Sequence, residues 1–112
     1  MSEESARADV VVSNPHGLHL RPAYLLAGVA EKFHSKVELI KDGERVDAKS
    51  ILSIAGLGAE CGTKLQIAAK GADAQAAVNA LLDLFEKELN REPKEGDSST
   101  EEALRGAPES LD

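Results

Sequence analysis

The residues of this chain that could do chemistry gather in one short stretch. Residues 14–22 read NPHGLHLRP, which brings two of the three histidines, an arginine, a glycine and two prolines together just ahead of the apolar-rich run AYLLAGVAEKF. His19 would stand at the start of a helix opened by Leu20, Arg21 and Pro22. The first turn of a helix presents unpaired amide hydrogens and the positive end of the helix dipole, and together these bind anions. Arg21 adds a guanidinium able to hold phosphate oxygens by paired hydrogen bonds. An imidazole that is neutral near physiological pH can attack phosphorus, and the group it accepts would lie against the amides and Arg21. Gly17 suits the tight loop needed to expose the ring. The dipole and Arg21 both disfavour imidazolium, so the pKa of His19 is expected at or below the ordinary value of about 6.5.

Blander readings of the same residues stay open at this point. His19 could be an N-cap or a surface histidine, and Arg21 a solvated charge. His16, His19 and His34 could ligate a metal, but no third ligand is closely spaced and His16 and His19 fall in or near a turn, so neither metal nor cofactor is expected. The segment GLGAECG, residues 56–62, suggests a dinucleotide loop only superficially. A short helix precedes it and a strand follows it, the reverse of what that loop requires, so its glycines are expected to serve backbone turns. Cys61 is the only cysteine and has no partner in sequence reach, which makes it structural or incidental and excludes an intramolecular disulfide.

The elements that must position this stretch are legible as changes of period. Val10, Val11 and Val12 make a short β-branched strand ending at Asn14 and Pro15. Leu26, Val29, Ala30 and Phe33 recur at helical spacing, giving a helix from Leu20 to Phe33 with Pro22 in its first turn, where a missing amide hydrogen costs nothing. Val37, Leu39 and Ile40, then Asp42-Gly43, then Val46 between charged neighbours, signal a hairpin. Ser50 is placed to cap a short helix closed by Gly56 and Gly58. Leu65, Ile67 and Ala69 alternate with Lys64, Gln66 and Ala68 as in a half-buried strand. Ala74, Ala77, Val78, Leu81, Leu82, Phe85 and Leu89 form the apolar stripe of a last helix begun at Asp73. The order is β-α-β-β-α-β-α, and one apolar face per strand with one apolar stripe per helix implies a four-stranded sheet covered on one face.

Composition sets the limits. At 112 residues there is room for one modest core. Residues 91–112 hold seven acids, three bases and only two leucines. Such a segment cannot bury enough apolar surface to offset the entropy of ordering, so it is expected to be a disordered acidic tail, with Thr100 the candidate cap of any brief helical turn. Residues 1–8 are expected to be loose and residues 9–90 to be the folded domain. Aromatic residues are only 3 % and the net charge is −7, so neither stacking platforms nor a basic patch for nucleic acid can be built. No apolar run is long enough to cross or insert in a membrane, and the first residues lack a signal-peptide pattern, so the chain reads as soluble and cytoplasmic.

NPHGLHLRPA followed by AKSILSIAGLGAECGTKLQIAAKG resembles the histidine-containing phosphocarrier, or HPr, family of the bacterial phosphoenolpyruvate-dependent sugar phosphotransferase system. The resemblance spans residues 8–89. It implies an α+β fold, an open-faced β-sandwich in which three helices cover one face of a four-stranded antiparallel sheet. It implies that His19 carries a phosphoryl group on Nδ1, received from enzyme I and passed to a IIA protein or domain, and that Arg21 helps hold it. By the same resemblance Ser50 is the regulatory serine, phosphorylated in many bacteria by HPr kinase/phosphorylase, and Leu20, Ile51, Leu52 and Leu57 form the partner-docking face. A transcriptional regulator is a further implied partner, and a monomer that carries phosphate stoichiometrically, without independent turnover, is expected. Lys49 would supply positive charge beside Ser50, and phosphate there would sit at a helix start while loading the docking face with negative charge. Tyr24 and His16 depart from the small or polar residues common at their positions and are candidate modulators of partner fit and of His19. The rival expectation is a regulatory binding protein of the same fold, acting by docking alone in nitrogen or carbon control.

Overall fold

A computed structural model of the chain describes residues 4–89. They form β1 (Ser5–Val11), α1 (Leu20–Ala30), β2 (Lys36–Lys41), β3 (Glu44–Asp47), α2 (Ile51–Gly56), β4 (Lys64–Lys70) and α3 (Ala74–Leu84), with one π-helical turn over Phe85–Leu89 after α3. The strands lie in the order β1-β4-β2-β3, and every neighbouring pair is antiparallel. The architecture is the expected open-faced β-sandwich. The acidic segment 91–112 and its candidate cap Thr100 lie outside the described residues.

Strand alternation decides which face is covered. On β1, β2 and β4 the side chains of Ala6, Val37, Leu39, Leu65, Ile67 and Ala69 point into one core. They meet Ala23, Leu26 and Ala30 of α1, Ile54 of α2, and Ala74, Ala77, Val78 and Leu81 of α3. The opposite face is open and carries Arg7 donating to Gln66 at 3.0 Å and Arg45 donating twice to Glu38 at 2.8 and 3.0 Å. Asp42 (φ 48°) and Gly43 (φ 85°) have the two left-handed residues of a type I′ turn, whose twist matches that of β2 and β3.

Three boundaries differ from expectation. β1 begins at Ser5, inside the segment expected to be loose, because Ser5, Ala6, Arg7 and Ala8 lie opposite Lys70, Ala69, Ala68 and Ile67 of β4. Pairing satisfies the backbone groups that face β4 although Ser, Ala and Arg have little strand preference of their own. α1 ends at Ala30, with Glu31 as its C-cap, and the half-buried Phe33 packs on the core from the loop beyond. The last helix leaves α geometry at Phe85, which is 1 % exposed and anchors the π turn in the core.

The connection from α1 to β2 is tied to the start of α3. The Asp73 carboxylate accepts hydrogen bonds from the hydroxyl and the N–H of Ser35 and from the N–H of His34, the two amide bonds at 2.9 Å. The Ser35 hydroxyl first, then the His34 amide, hold the pKa of Asp73 down to about 2. Gly71 (φ 144°) permits the approach, since a Cβ there would stand 2.6 Å from the Ser35 Oγ and 2.8 Å from its Cα.

Candidate phosphoryl-accepting site

The loop ahead of α1 is pinned before it reaches His19. The Asn14 side-chain oxygen accepts from the N–H of His16 at 3.2 Å and the Asn14 carbonyl from the N–H of Gly17 at 2.9 Å, an Asx-supported turn. Gly17 has φ 70° and sits so close to the 59–62 loop that a Cβ would be 2.5 Å from the carbonyl oxygen of Ala59 and 2.9 Å from the Cα of Glu60. Leu18 then donates its N–H to that same Ala59 carbonyl at 2.9 Å and buries its side chain. The GLGAECG segment is thus the seat of this loop; Gly58 and Gly62 serve turns at positive φ, while Gly56 is the last residue of α2.

His19 is the N-cap residue of α1, in extended conformation, and its side chain makes no capping bond. The ring is exposed and free for another partner. Ala23 donates its N–H to the His19 carbonyl at 3.0 Å, and Pro22 has no N–H. Two amides, those of Leu20 and Arg21, therefore remain at the open helix end, and the first turn contains no acid to occupy them. Arg21 is exposed beside them. The pKa of His19 is lowered, chiefly by burial, next by the charge of His16 and then by that of Arg21. The direction agrees with expectation, but His16 outweighs Arg21. The two imidazoles stand edge to face with ring centroids 5.9 Å apart.

The rest of the expected site lies on α1 and α2, which pack side by side. Leu20 is 58 % exposed, Tyr24 65 % and Leu52 77 %. Tyr24 and the half-buried Ile51 line one shallow groove with Leu25, Gly28 and Lys49. Leu57 does not belong to this surface. It is 3 % exposed, caps α2 from below and packs in the core, so the docking role expected for it is corrected to a structural one. Ser50 is the N-cap of α2, and its Oγ accepts from the Ser53 N–H at 3.2 Å. Lys49 donates its ammonium to the Phe33 carbonyl at 2.8 Å. His34 lies elsewhere, its N–H on Asp73, and no group of three or more His, Cys, Asp or Glu side chains among the described residues is arranged to hold a metal. Cys61 is exposed in the 59–62 loop.

Two functional features escape sequence reasoning. The contact between Gly17 and Ala59 joins residues some forty positions apart, and only the tight loop expected around Gly17 hinted that a glycine was needed. Lys41 donates its ammonium to the carbonyls of Leu57 and Gly58 at 3.2 and 3.4 Å, which closes the C-terminal end of α2.

Comparison with known proteins points the same way as the geometry. Residues 6–87 match the family described as the PTS HPr component phosphorylation site. The phosphocarrier protein HPr of Treponema pallidum is 40 % identical over 83 residues, covering 74 % of this chain and 94 % of that one. The phosphoryl donor subunit of a PEP-dependent dihydroxyacetone kinase from Providencia stuartii is 38 % identical over 88 % of this chain, in a match that takes up 21 % of the longer relative. The crystal structure of HPr-C-His from Thermoanaerobacter tengcongensis superposes with a TM-score of 0.72 at 37 % identity, over 77 % of this chain and 97 % of that one.

Proposed function

The chain belongs to the HPr phosphocarrier family of the phosphotransferase system, and from that premise we propose that His19 accepts a phosphoryl group from phospho-enzyme I and delivers it to a histidine of a IIA protein or domain. The observation that carries the reading is the unused imidazole of His19 at an open helix start with Arg21 beside it. Burial, His16 and Arg21 disfavour the imidazolium, which favours the neutral ring at pH 7, the form that can offer a nitrogen lone pair to phosphorus. As that pair forms the N–P bond, the pair of the donor's N–P bond returns to the donor nitrogen, and no independent turnover is required of this chain. The phosphoryl oxygens are held by the Leu20 and Arg21 amides and by the guanidinium, in an arrangement present before the group arrives. Incubation with phosphoenolpyruvate and enzyme I gives an acid-labile phosphoprotein, and His19→Ala abolishes the label. Full labelling of the variant overturns the assignment.

Regulation at Ser50 is part of the same proposal. Phosphate at the N-cap of α2 faces a helix N-terminus and leaves the fold intact, while two negative charges enter the surface of Ile51 and Leu52. Enzyme I then loads His19 more slowly. Treatment with ATP and HPr kinase followed by mass spectrometry tests the position, and an unchanged loading rate of the Ser50-modified protein sinks the regulatory role alone. The docking-only reading draws on the exposed Leu20, Tyr24 and Leu52, which form a surface whether or not phosphate moves. Partner binding that persists in a protein never labelled by enzyme I favours it.

A further inference from the structure

We propose that the open face of the sheet is a docking surface for the chain's own acidic segment: carboxylates of residues 91–112 settle on a cluster of four cations, Arg7, Lys36, Arg45 and Lys70, on the side of the sheet away from α1 and α2. The inference stands apart from the carrier reading, since nothing in it involves His19.

Strand register builds the cluster. Ser5, Lys70 and Lys36 lie abreast on β1, β4 and β2, and the next row on the same face is Arg7, Ala68 and Glu38. Arg45 joins from β3, opposite Ile40. Long side chains around the small Ala68 leave a shallow hollow of about 370 Å³. At its end Lys36 stands directly opposite Lys70, a pairing of like charges that costs stability unless an anion is shared between them.

The acids of the folded domain do not balance this cluster. Glu38 is the one acid lining the hollow, and it is already engaged, since Arg45 donates to it twice and the Lys36 ammonium stands 3.7 Å away. Asp47, opposite Glu38 on β3, accepts from the N–H of Lys49, and Asp9 lies one row beyond Arg7. Arg7 donates to Gln66, a neutral acceptor, and Lys70 makes no ion pair among the described residues. Four cations around one carboxylate reverse the balance of a chain whose net charge is −7.

Charge and reach select the occupant. Residues 91–112 hold seven acids against three bases. They follow the turn that Phe85 anchors in the core, so their carboxylates are tethered to the sheet they would meet. About twenty residues can span up to ~66 Å, whereas a strand of the length of β4 is ~23 Å long, so the whole open face is within reach. Tethering supplies an effective concentration of about millimolar, which populates a contact made of several individually weak surface pairs. An acidic peptide on another molecule lacks that advantage at low protein concentration.

The test treats the whole chain with a water-soluble carbodiimide, which condenses a lysine amine with a carboxylate in contact with it, losing water and adding no spacer, and maps the links by mass spectrometry. The expected result is links from Lys36 and Lys70 to acids of residues 91–112, within one chain and at a yield independent of protein concentration. Raising salt from ~0.01 to ~1 M, which shortens the screening length from about 30 to about 3 Å, cuts that yield several-fold. The Lys87 to Asp83 pair serves as the internal reference. Absence of links from Lys36 and Lys70 to the segment, or links to it only from Lys32 and Lys49 on the helical side, overturns the proposal. A yield that rises with protein concentration overturns it in favour of a second copy. A second arm compares amide NMR spectra of the wild type and of a variant in which every acid of residues 91–112 becomes its amide, Glu101→Gln and Glu102→Gln among them. Shifts are expected at Arg7, Lys36 and Lys70 and none at Leu52 of α2. Superimposable resonances across the sheet refute the contact.

Discussion

The starts of α1 and α3 are built alike and used in opposite ways. Each 11-residue helix has an N-cap whose side chain makes no capping bond, His19 in one and Asp73 in the other, and each has a glycine at positive φ two residues ahead, Gly17 and Gly71. Both glycines let the chain press against a distant segment, Ala59 and Glu60 in one case and Ser35 in the other. At α3 the N-cap side chain is an anion that the protein spends on itself, holding Ser35 and His34 and with them the entry to β2. At α1 it is a weak base with nothing bound, beside two free amides and an arginine. The same backbone device gives a latch where the side chain brings its own charge and partners, and, on the proposed function, a receiving site where the guest supplies the charge.

The comparison can be broken at either helix. Gly17→Ala adds a Cβ against backbone that cannot yield, at a φ that alanine adopts only with strain, and is expected to cost about 2–4 kcal/mol in urea unfolding and to impair loading of His19. A cost near zero would mean that the loop is not seated as described. Asp73→Asn removes the charge of the latch. It lowers the melting temperature at pH 7, and it also changes the acid limb of stability. The carboxylate of the wild type contributes fully above its unfolded value near 3.8 and loses that contribution as pH falls through about 2, so the variant shows a shallower decline between those values while His19 loads at the wild-type rate. Slowed loading in Asp73→Asn would show that the two helix starts are not independent.

Smaller changes sharpen the contrast. Leu20→Asp gives α1 the anion it lacks, at an exposed position in the first turn where a carboxylate favours the helix. Loading is expected to fall about tenfold with the melting temperature unchanged or slightly raised, one charge near the phosphoryl group sufficing for that ratio. A variant that loads normally would remove the helix end from the mechanism. Ser50→Ala, at the one N-cap of α1, α2 and α3 that does make its side-chain bond, costs about 1 kcal/mol in chemical unfolding and leaves His19 chemistry untouched. A much larger loss would assign Ser50 more than a cap.

Sequence reading reached far in some places and stopped short in others, and particular residues explain why. The Asp42-Gly43 turn, the Ser50 cap and the helix start at His19 are set by neighbours within a few positions, so local chemistry sufficed. Ser5 to Ala8 are strand only because β4 lies beside them, and no local preference announces that. Leu57 looks like its apolar neighbours Ile51 and Leu52 in sequence, yet helix rotation and the cap at the end of α2 turn it inward while Leu52 points out. Lys49 was expected to bring positive charge beside Ser50; which acceptor its long side chain would reach was not legible, and in space it is the Phe33 carbonyl.

What the sequence determined by itself is the order of elements, the one-faced sheet and the chemical identity of the site, because periodicity, turn residues and a histidine-arginine pair at a helix start are all written within a turn or two of chain. What only the tertiary structure decided is how that site is held and balanced: Gly17 seated on Ala59, His16 brought ring to ring with His19, and Asp73 tied to Ser35. Each of these depends on contact between segments or on the path of a loop, and the geometry of such contacts is fixed by the packing of the whole core and by no residue's own preference.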